Sequence, residues 1–246
     1  MTPPGLRPGV GGSHELVLDD GPVDAELVAE LLAEALEHDD VRRVEIRVDV
    51  TDHPRLRALS RAGMRREGVL RMPDGDQALL ARVVGDPQAG SHDGFIAMLN
   101  AGLPRKRVIS QGLLHDADGR VLLCELTYKR EWDLPGGVVE PSESPADGLV
   151  RELEEELGIE VQVLGLRTVN WLAPWREWDD ACVFVFDLAP VDAASTSTWT
   201  LQPTEIAAVH WCDPATVAER AAAATVALLE GLPGSSVAYR ERGIPR

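Results

Sequence analysis

Apolar residues recur along the chain with two different periods, and the places where the period changes mark the elements. Val44, Ile46, Val48 and Val50 alternate with Arg43, Glu45, Arg47 and Asp49, the period-two signature of a strand with one wet face. Ahead of it HELVLDD reads as another strand, and Val28, Leu31, Leu32, Ala35 and Leu36 recur at helical spacing. A short helix over residues 54–62, a stop at Gly63 and strands over 66–72 and 77–84 complete a first unit. A second unit opens with VISQGLL and RVLLCEL on either side of HDADG, whose Asp118-Gly119 pair signals a hairpin. Further strands are expected at VQVLGLRTVNW, ACVFVFDL and EIAAVHWC, and Asp213-Pro214 supplies an N-cap and first-turn proline for a C-terminal helix.

Punctuation by Pro and Gly then divides the 246 residues. Residues 1–12 read as a flexible tail, 13–86 as the first unit, 87–104 as a linker with a short helix near 95–100, 105–232 as the second unit and 233–246 as a C-terminal tail. A hydrophobic content of 44% suffices for real cores. The net charge of -17 excludes long nucleic acid as a partner, because that binding needs lysine and arginine against phosphates. The same charge repels a phosphorylated small molecule unless bound cations reverse the local field. Cys124, Cys182 and Cys212 lie far apart and form no CxxC pair, which fits a reducing cytoplasm. The first residues lack the apolar core of a signal peptide, and the small-apolar run at 221–229 is too short for a bilayer, so the expectation is cytoplasmic, with no membrane partner.

The chemistry is concentrated between Gly137 and Ile159, which read GVVEPSESPADGLVRELEEELGI. Glu152, Glu155 and Glu156 stand at i, i+3 and i+4, so on a helix their carboxylates share a face, while Ala146, Leu149, Val150, Leu153 and Leu157 make an adjoining apolar face. Like charges at that spacing repel, a cost that divalent ions bound by their oxygens offset. Gly136 and Gly137 permit close backbone approach at the helix entry, and Gly158 suits a left-handed stop.

Gly137, Glu143, Arg151, Glu152, Leu153, Glu155, Glu156, Gly158 and Ile159 fit the pattern G-x(5)-E-x(7)-R-E-U-x-E-E-x-G-U, U being a bulky aliphatic. This resembles the Nudix box, and Trp132, Leu134, Pro135 and Gly136 extend the likeness over a region of about 105–215. The resemblance implies hydrolysis of a nucleoside diphosphate linked to another moiety, with magnesium or manganese stabilising the developing charge. It implies that Glu152, Glu155 and Glu156 are metal ligands, helped by a backbone carbonyl at Gly136 or Gly137, and that Arg151 and Glu143 hold those carboxylates in place. Glu205, just ahead of the last core strand, is the first choice for a general base outside the box, with Asp179 and Asp180 as alternatives. Pro174, the fifteenth residue after Ile159, is similar to the proline spacing of the ADP-ribose pyrophosphatase subgroup, which favours ADP-ribose or a nucleotide sugar as substrate. Trp171 and Trp175, with Trp178 in the same stretch, and Trp132 before the LPGG turn are the substrate-binding residues expected from aromatic stacking.

The first unit is similar to something else. RVEIRVDVTDHPRLRALSRAGMRREGVLR resembles the C-terminal half of the GNAT acetyltransferase fold, with Met64 where phenylalanine is usual. That fold cradles a pyrophosphate with glycines and an arginine, whereas LDDGPVDAE puts Asp19, Asp20 and Asp24 there, so a degenerate, structural unit is expected. The expected fold class is therefore α+β, an α/β/α sandwich of the Nudix type with a mixed sheet, preceded by a GNAT-like half-domain. A strand at residues 14–18 with a free edge would need a cover, and a homodimer through the first unit is one way to supply it. The alternative functions are a Nudix-type ligand sensor that binds without cleaving and, less favoured, an acetyltransferase.

Overall fold

The Pro- and Gly-rich start of the chain is a hairpin. In the computed structural model, which describes residues 4–232 and 238–245, β1 (Gly5–Pro8) pairs antiparallel with β2 (Ser13–Val17), setting Leu6 opposite Leu16 and Pro8 opposite His14. Gly11 and Gly12 take φ of 66° and 79°, the left-handed values that a tight turn needs and other residues resist. Pro8 ends an edge strand, where a missing N–H costs no ladder bond. The expected flexible tail at 1–12 is thus corrected over residues 5–12, while residues 1–3 lie outside the described residues. β2 also has no free edge, because β1 covers one side and β3 the other, so the argument for a second copy of the chain at that edge loses its basis.

The chain divides into two compact units, Met1–Pro104 and Arg105–Arg246. In the first, α1 (Ala25–Ala35) follows β2 and leads to β3 (Arg43–Asp49), then α2 (His53–Arg61), β4 (Arg65–Leu70) and β5 (Gln77–Val83). The sheet order is β1-β2-β3-β5-β4, with only β2 and β3 parallel. That parallel pair follows from the α1 crossover, which returns the chain to the same end of the sheet. Val44, Ile46 and Val48 of β3 bury their alternate side chains against Val28 and Leu32 of α1, with Leu59, Met64 and Leu80 closing the core. Residues 87–104, expected as a linker with one or two helical turns, contain α3 (His92–Gly102), whose N-cap Ser91 accepts from the Gly94 N–H and which lies against β4 in the same unit.

The second unit contains β6 (Arg107–Leu113), β7 (Val121–Leu126), α4 (Pro145–Leu157), β8 (Val163–Leu172), β9 (Ala181–Leu188), β10 (Ile206–Cys212), α5 (Pro214–Arg220), α6 (Ala223–Glu230), β11 (Ala238–Glu241) and β12 (Ile244–Pro245). A mixed sheet runs β12-β11-β8-β9-β6, and β7 pairs with β10 in a separate antiparallel ribbon. Along β9 the faces alternate. Val183 and Val185 pack in a core with Val217 of α5 and Leu228 of α6, whereas Phe186 and Leu188 pack with Leu149, Leu153 and Leu157 of α4. Helices therefore cover both faces, the sandwich expected from the sequence.

One expectation holds locally and one is corrected here. HDADG makes the expected tight reversal, with the His115–Val121 bridge and hydrogen bonds from the Asp116 N–H to the Arg120 carbonyl and from the Leu122 N–H to the Leu114 carbonyl, after which β6 and β7 diverge into different sheets. The buried Asp116 carboxylate fixes that turn by accepting from the Asp118 and Arg120 N–H groups and the Arg120 side chain. The C-terminal tail at 233–246 instead contributes β11, parallel to β8. The buried Arg240 ties it down by donating to the carbonyls of Gly243 and Gly231, and Asn170 accepts from the Gly243 N–H. Residues 233–237 and 246 lie outside the described residues.

Candidate active site

The residues that precede α4 run antiparallel to β6 like an extra strand. Gly112 donates to the Pro135 carbonyl at 2.9 Å, Ser110 to the Gly137 carbonyl at 2.9 Å, and Val139 to the Val108 carbonyl at 3.0 Å. Two glycines make this approach feasible. A Cβ on Gly136, whose φ is 127°, would lie 2.1 Å from the Ser110 carbonyl oxygen, and one on Gly137 would lie 2.5 Å from the Glu152 carboxylate. α4 then starts at Pro145 with Ser144 as N-cap, accepting from the Asp147 N–H, and stops at Gly158 in the left-handed region with φ of 68°. Leu149, Leu153 and Leu157 are fully buried on one face, which fixes the adjoining, acidic face beside the glycines.

Arg151 organises that face. Its Nε and Nη2 donate to the two oxygens of Glu143 at 2.9 and 3.1 Å, Nη2 also to the Val138 carbonyl at 3.0 Å, and Nη1 to Glu152 and Glu155 at 3.0 Å each. A planar guanidinium with five donors can serve so many acceptors, which an ammonium cannot. The hydrogen bonds from Arg151 hold Glu143 below the usual carboxylate range, and the same bonds, accepted by Glu143, push the guanidinium above its own. Burial raises Glu152, with Arg151 opposing. Glu156 is 7% exposed. Burial, then the charges of Glu152 and Glu205, push it up to about 7, although the Gly136 N–H works the other way.

Could these residues hold a divalent cation? The donor set is hard carboxylate oxygen, the chemistry that magnesium and manganese select. Glu156 is a buried carboxylate whose nearest charges are other carboxylates, and a cation would relieve that repulsion. Among the described residues no three acidic, histidine or cysteine side chains already converge on one point, because Arg151 draws Glu152 and Glu155 to its own N–H groups. The Gly137 carbonyl uses one lone pair on Ser110 and keeps the other. The residues fit the ion in kind, and Gly136 and Gly137 leave the room that a side chain would fill.

A family model described as the NUDIX domain matches residues 105–230, just over half of the chain. The chain belongs to the NUDIX family. A MutT-like protein of Streptomyces ambofaciens is 33% identical over 134 residues, 54% of this chain and 80% of that protein. A CTP pyrophosphohydrolase of Escherichia coli (strain K12) is 46% identical over 52 residues, 20% of this chain and 38% of the relative. Among solved structures, a MutT protein from Methanosarcina mazei Go1 matches with a TM-score of 0.41 and 25% identity over 48% of this chain and 85% of that one. As a Nudix pyrophosphohydrolase the chain is an enzyme that hydrolyses pyrophosphate linkages.

The remaining residues expected in the Nudix site divide into two groups. Glu205 is brought to the carboxylates: Gln202 donates its N–H to the Glu156 carbonyl at 2.8 Å, Glu205 follows in the same turn, and its charge reaches Glu152 and Glu156. Trp175 and Trp178 face each other across a tight turn, 62% and 59% exposed, with Arg176 lying 4.2 Å from the Trp175 ring centre and Arg107 4.7 Å from that of Trp178. Pro174 is exposed just before them. The expected tryptophan cluster is otherwise dissolved. Trp171 belongs to β8, not to the loop, and its indole N–H donates to Asp180 at 2.9 Å. That use of Asp180, which also pairs with Lys106, makes it a loop anchor. Trp132 stacks on His210 with ring centres 3.9 Å apart and carries Arg220 5.6 Å from its ring centre, so it packs the β7–β10 ribbon.

Sequence reasoning missed Tyr128 and Lys129, which sit in a turn with no periodicity or motif to mark them. The Thr127 N–H donates to the Glu205 carbonyl at 2.9 Å, which places Tyr128 beside Glu205. Partial desolvation of its hydroxyl, then the charges of Glu156, Asp133 and Glu205, raise its phenol, although most of the side chain stays exposed. Lys129 Nζ donates to Asp133 at 2.7 Å, and Gln111, Leu134 N–H and Thr225 hold the other Asp133 oxygen.

Proposed function

We propose that the chain is a metal-dependent hydrolase that cleaves the diphosphate of a nucleoside diphosphate linked to another moiety, ADP-ribose or a nucleotide sugar being favoured. The observation that carries this reading is the single acidic face of α4, with one arginine gripping Glu143, Glu152 and Glu155 and a buried Glu156 set against Gly136. Glu152, Glu155 and Glu156, with the Gly137 carbonyl, would hold magnesium or manganese. A bound cation supplies neutralisation of charge that develops on the phosphoryl oxygens.

The chain's own groups do the rest. Arg151 and Glu143 keep the carboxylates aimed, and the bond from Arg151 to the Val138 carbonyl ties that aim to the backbone along β6. Glu205, adjoining the row yet exposed to solvent, takes a proton from the attacking water. Trp175, supported by Pro174, stacks on the nucleobase. Sheet register supports this placement: Arg107, which packs on Trp178, is three residues from Ser110, roughly 10 Å along the strand. The reading is tested with a magnesium-supplemented panel of ADP-ribose, nucleotide sugars, dinucleoside polyphosphates, NAD, CoA and the (d)NTPs. Turnover that EDTA abolishes and magnesium restores supports it; binding without turnover of any member would indicate a sensor.

For the first unit, the order of strand, helix, strand, helix and hairpin from β2 to β5 supports the GNAT-like reading, and the acidic β2–α1 junction supports a structural role without acetyl transfer. A truncation starting at Arg105 that keeps wild-type turnover agrees with that role.

A further inference from the structure

The pairing along β6 orders the whole site on one line. Val138 faces Arg151, Gly137 faces Glu152, and Gly136 faces Glu156, so the acidic row advances from the Val108 level of β6 towards the Gly112 level. Beyond the Val108 end lies Arg107 with the Trp175 and Trp178 turn. Past the Gly112 end lies Asp133, held by Gln111 and by Lys129, and next to it Tyr128, attached through Thr127 to Glu205. Recognition chemistry therefore stands at both ends of the carboxylates. A substrate with one organic group, such as a nucleoside triphosphate, would use only one of them.

Tyr128 is equipped for contact. It is 69% exposed, and its backbone is fixed by the Thr127 N–H bond to Glu205 and by the Thr127 hydroxyl bond to the Thr204 carbonyl at 2.7 Å. A large ring held in water at a site mouth offers a face for the C–H surface of a sugar or for another ring. Lys129 has three N–H donors, of which Asp133 takes one, and its side chain is 32% exposed. It sits on the loop that enters the glycine pair, in a chain of net charge -17 where positive charge beside the carboxylates is scarce.

We propose that Tyr128 and Lys129 form a second recognition element that binds the sugar ring on the far side of the scissile diphosphate, Tyr128 packing on its C–H face and Lys129 donating to its hydroxyls or to the adjoining phosphate. This rests on the reading of the row as a diphosphate hydrolase site. It makes a nucleoside diphosphate joined to a sugar the preferred substrate over a nucleoside triphosphate.

The experiment compares, in the full chain with magnesium, KM for ADP-ribose, UDP-glucose and GDP-mannose with the competitive Ki of ADP, UDP and GDP, which share every group except the far sugar. The expected result is that Tyr128→Ala raises the ratio of KM to Ki about tenfold, the worth of one lost ring contact. Tyr128→Phe, which keeps the ring, stays within about twofold of wild type, and Lys129→Met falls between. Trp175→Ala, at the other end, raises KM and Ki together and leaves the ratio where it was. An unchanged ratio in Tyr128→Ala, or equal shifts in Tyr128→Ala and Trp175→Ala, overturns the proposal. Wild-type turnover restricted to the triphosphates overturns it too while leaving a pyrophosphohydrolase in place. No turnover of any nucleotide would remove the functional reading along with it. Because Tyr128 is exposed, its alanine variant is expected to fold, and matching circular dichroism checks this.

Discussion

Two strand-to-helix junctions in this chain are rich in carboxylates, and they do opposite things with them. Between β2 and α1, Asp24 accepts from the Glu26 and Leu27 N–H groups as the cap of α1, and Asp19 accepts from the Gly21 N–H at 3.1 Å. The nearby guanidinium of Arg55 donates through Nη2 to the carbonyls of Asp19 and Gly21, and its carboxylate partner is Asp52, itself occupied as the cap of α2. Ahead of α4 the arginine turns to side chains, gripping Glu143, Glu152 and Glu155, and Glu156 is pressed into the interior against Gly136. In the first junction the acids answer local backbone donors and the loop is closed on itself. In the second the carboxylates are held near one another at an electrostatic cost, the arrangement in which a hard cation has most to gain. An acidic cluster becomes a site through what its neighbours prevent it from doing.

The sharpest way to break this comparison is to neutralise carboxylates at both junctions. Glu152→Gln and Glu156→Gln should each lower kcat by about a hundredfold or more with little change in fold, since a ligand charge is lost and the shape is kept. Asp19→Asn and Asp20→Asn should leave kcat unaltered. Equal losses at the two junctions, measured by steady-state kinetics, would mean that acidity and not arrangement is what counts. Arg151→Lys comes next. Lysine keeps the charge but cannot serve Glu143, Glu152, Glu155 and the Val138 carbonyl at once, so kcat should fall by roughly ten- to a hundredfold, with more magnesium needed for half-maximal rate. A variant with unchanged magnesium dependence would show that Arg151 has no part in aiming the ligands.

The α4 junction was legible in the sequence for the reason that makes it work: each residue of the box answers a backbone requirement or a partner at fixed spacing. The alternating strands were legible too, because one wet face imposes period two. β1 and β11 were not. Both are strands of four residues, too short to show a period, and β1 is written in Gly and Pro, which mark a tight hairpin as readily as a tail. Trp171 closes the strand expected at VQVLGLRTVNW and was grouped with the loop tryptophans by nearness in sequence; its bond to Asp180 across the turn is a contact that spacing does not show. Tyr128 and Lys129 owe their position to the pairing of Thr127 with Glu205, a contact between residues far apart in the chain.

The tryptophans extend the comparison to aromatic residues. Trp175→Ala should raise KM for the preferred nucleotide several-fold, with kcat less affected, because the ring is exposed and contributes to no core. Trp171→Phe should lower Tm with KM nearly constant, since it removes the N–H that Asp180 accepts. The reverse assignment of KM and Tm effects would exchange their roles. A smaller effect is expected at the first junction: Asp24→Ala removes the α1 cap and should cost about 1 kcal/mol of stability in the first unit without altering turnover. Denaturant titration gives the first quantity and a rate assay the second.

The smallest effect tests whether the distinction lies in arrangement or merely in which unit a carboxylate belongs to. Asp180 is in the same unit as the acidic row of α4, yet it is satisfied in the manner of Asp24: hydrogen bonds from Lys106 and then from the Trp171 indole hold its carboxyl below the usual aspartate range. A carboxylate lowered in the folded state contributes stability that is fully present above its unfolded pKa, about 4, and is lost as pH falls through the folded value. Asp180→Asn should therefore be less stable than the parent at pH 7, and the gap in Tm should close as the pH is taken below 4. Because Lys106 is half exposed, added salt should narrow the gap at pH 7 as well. Turnover should be unaffected at neutral pH provided the loop stays folded. A gap that persists undiminished at pH 3 would show that the amide disrupts packing and that charge is not what Asp180 contributes. A large loss of kcat at constant Tm would instead place Asp180 with the reactive carboxylates, and the line drawn between satisfied and crowded acids would have to move.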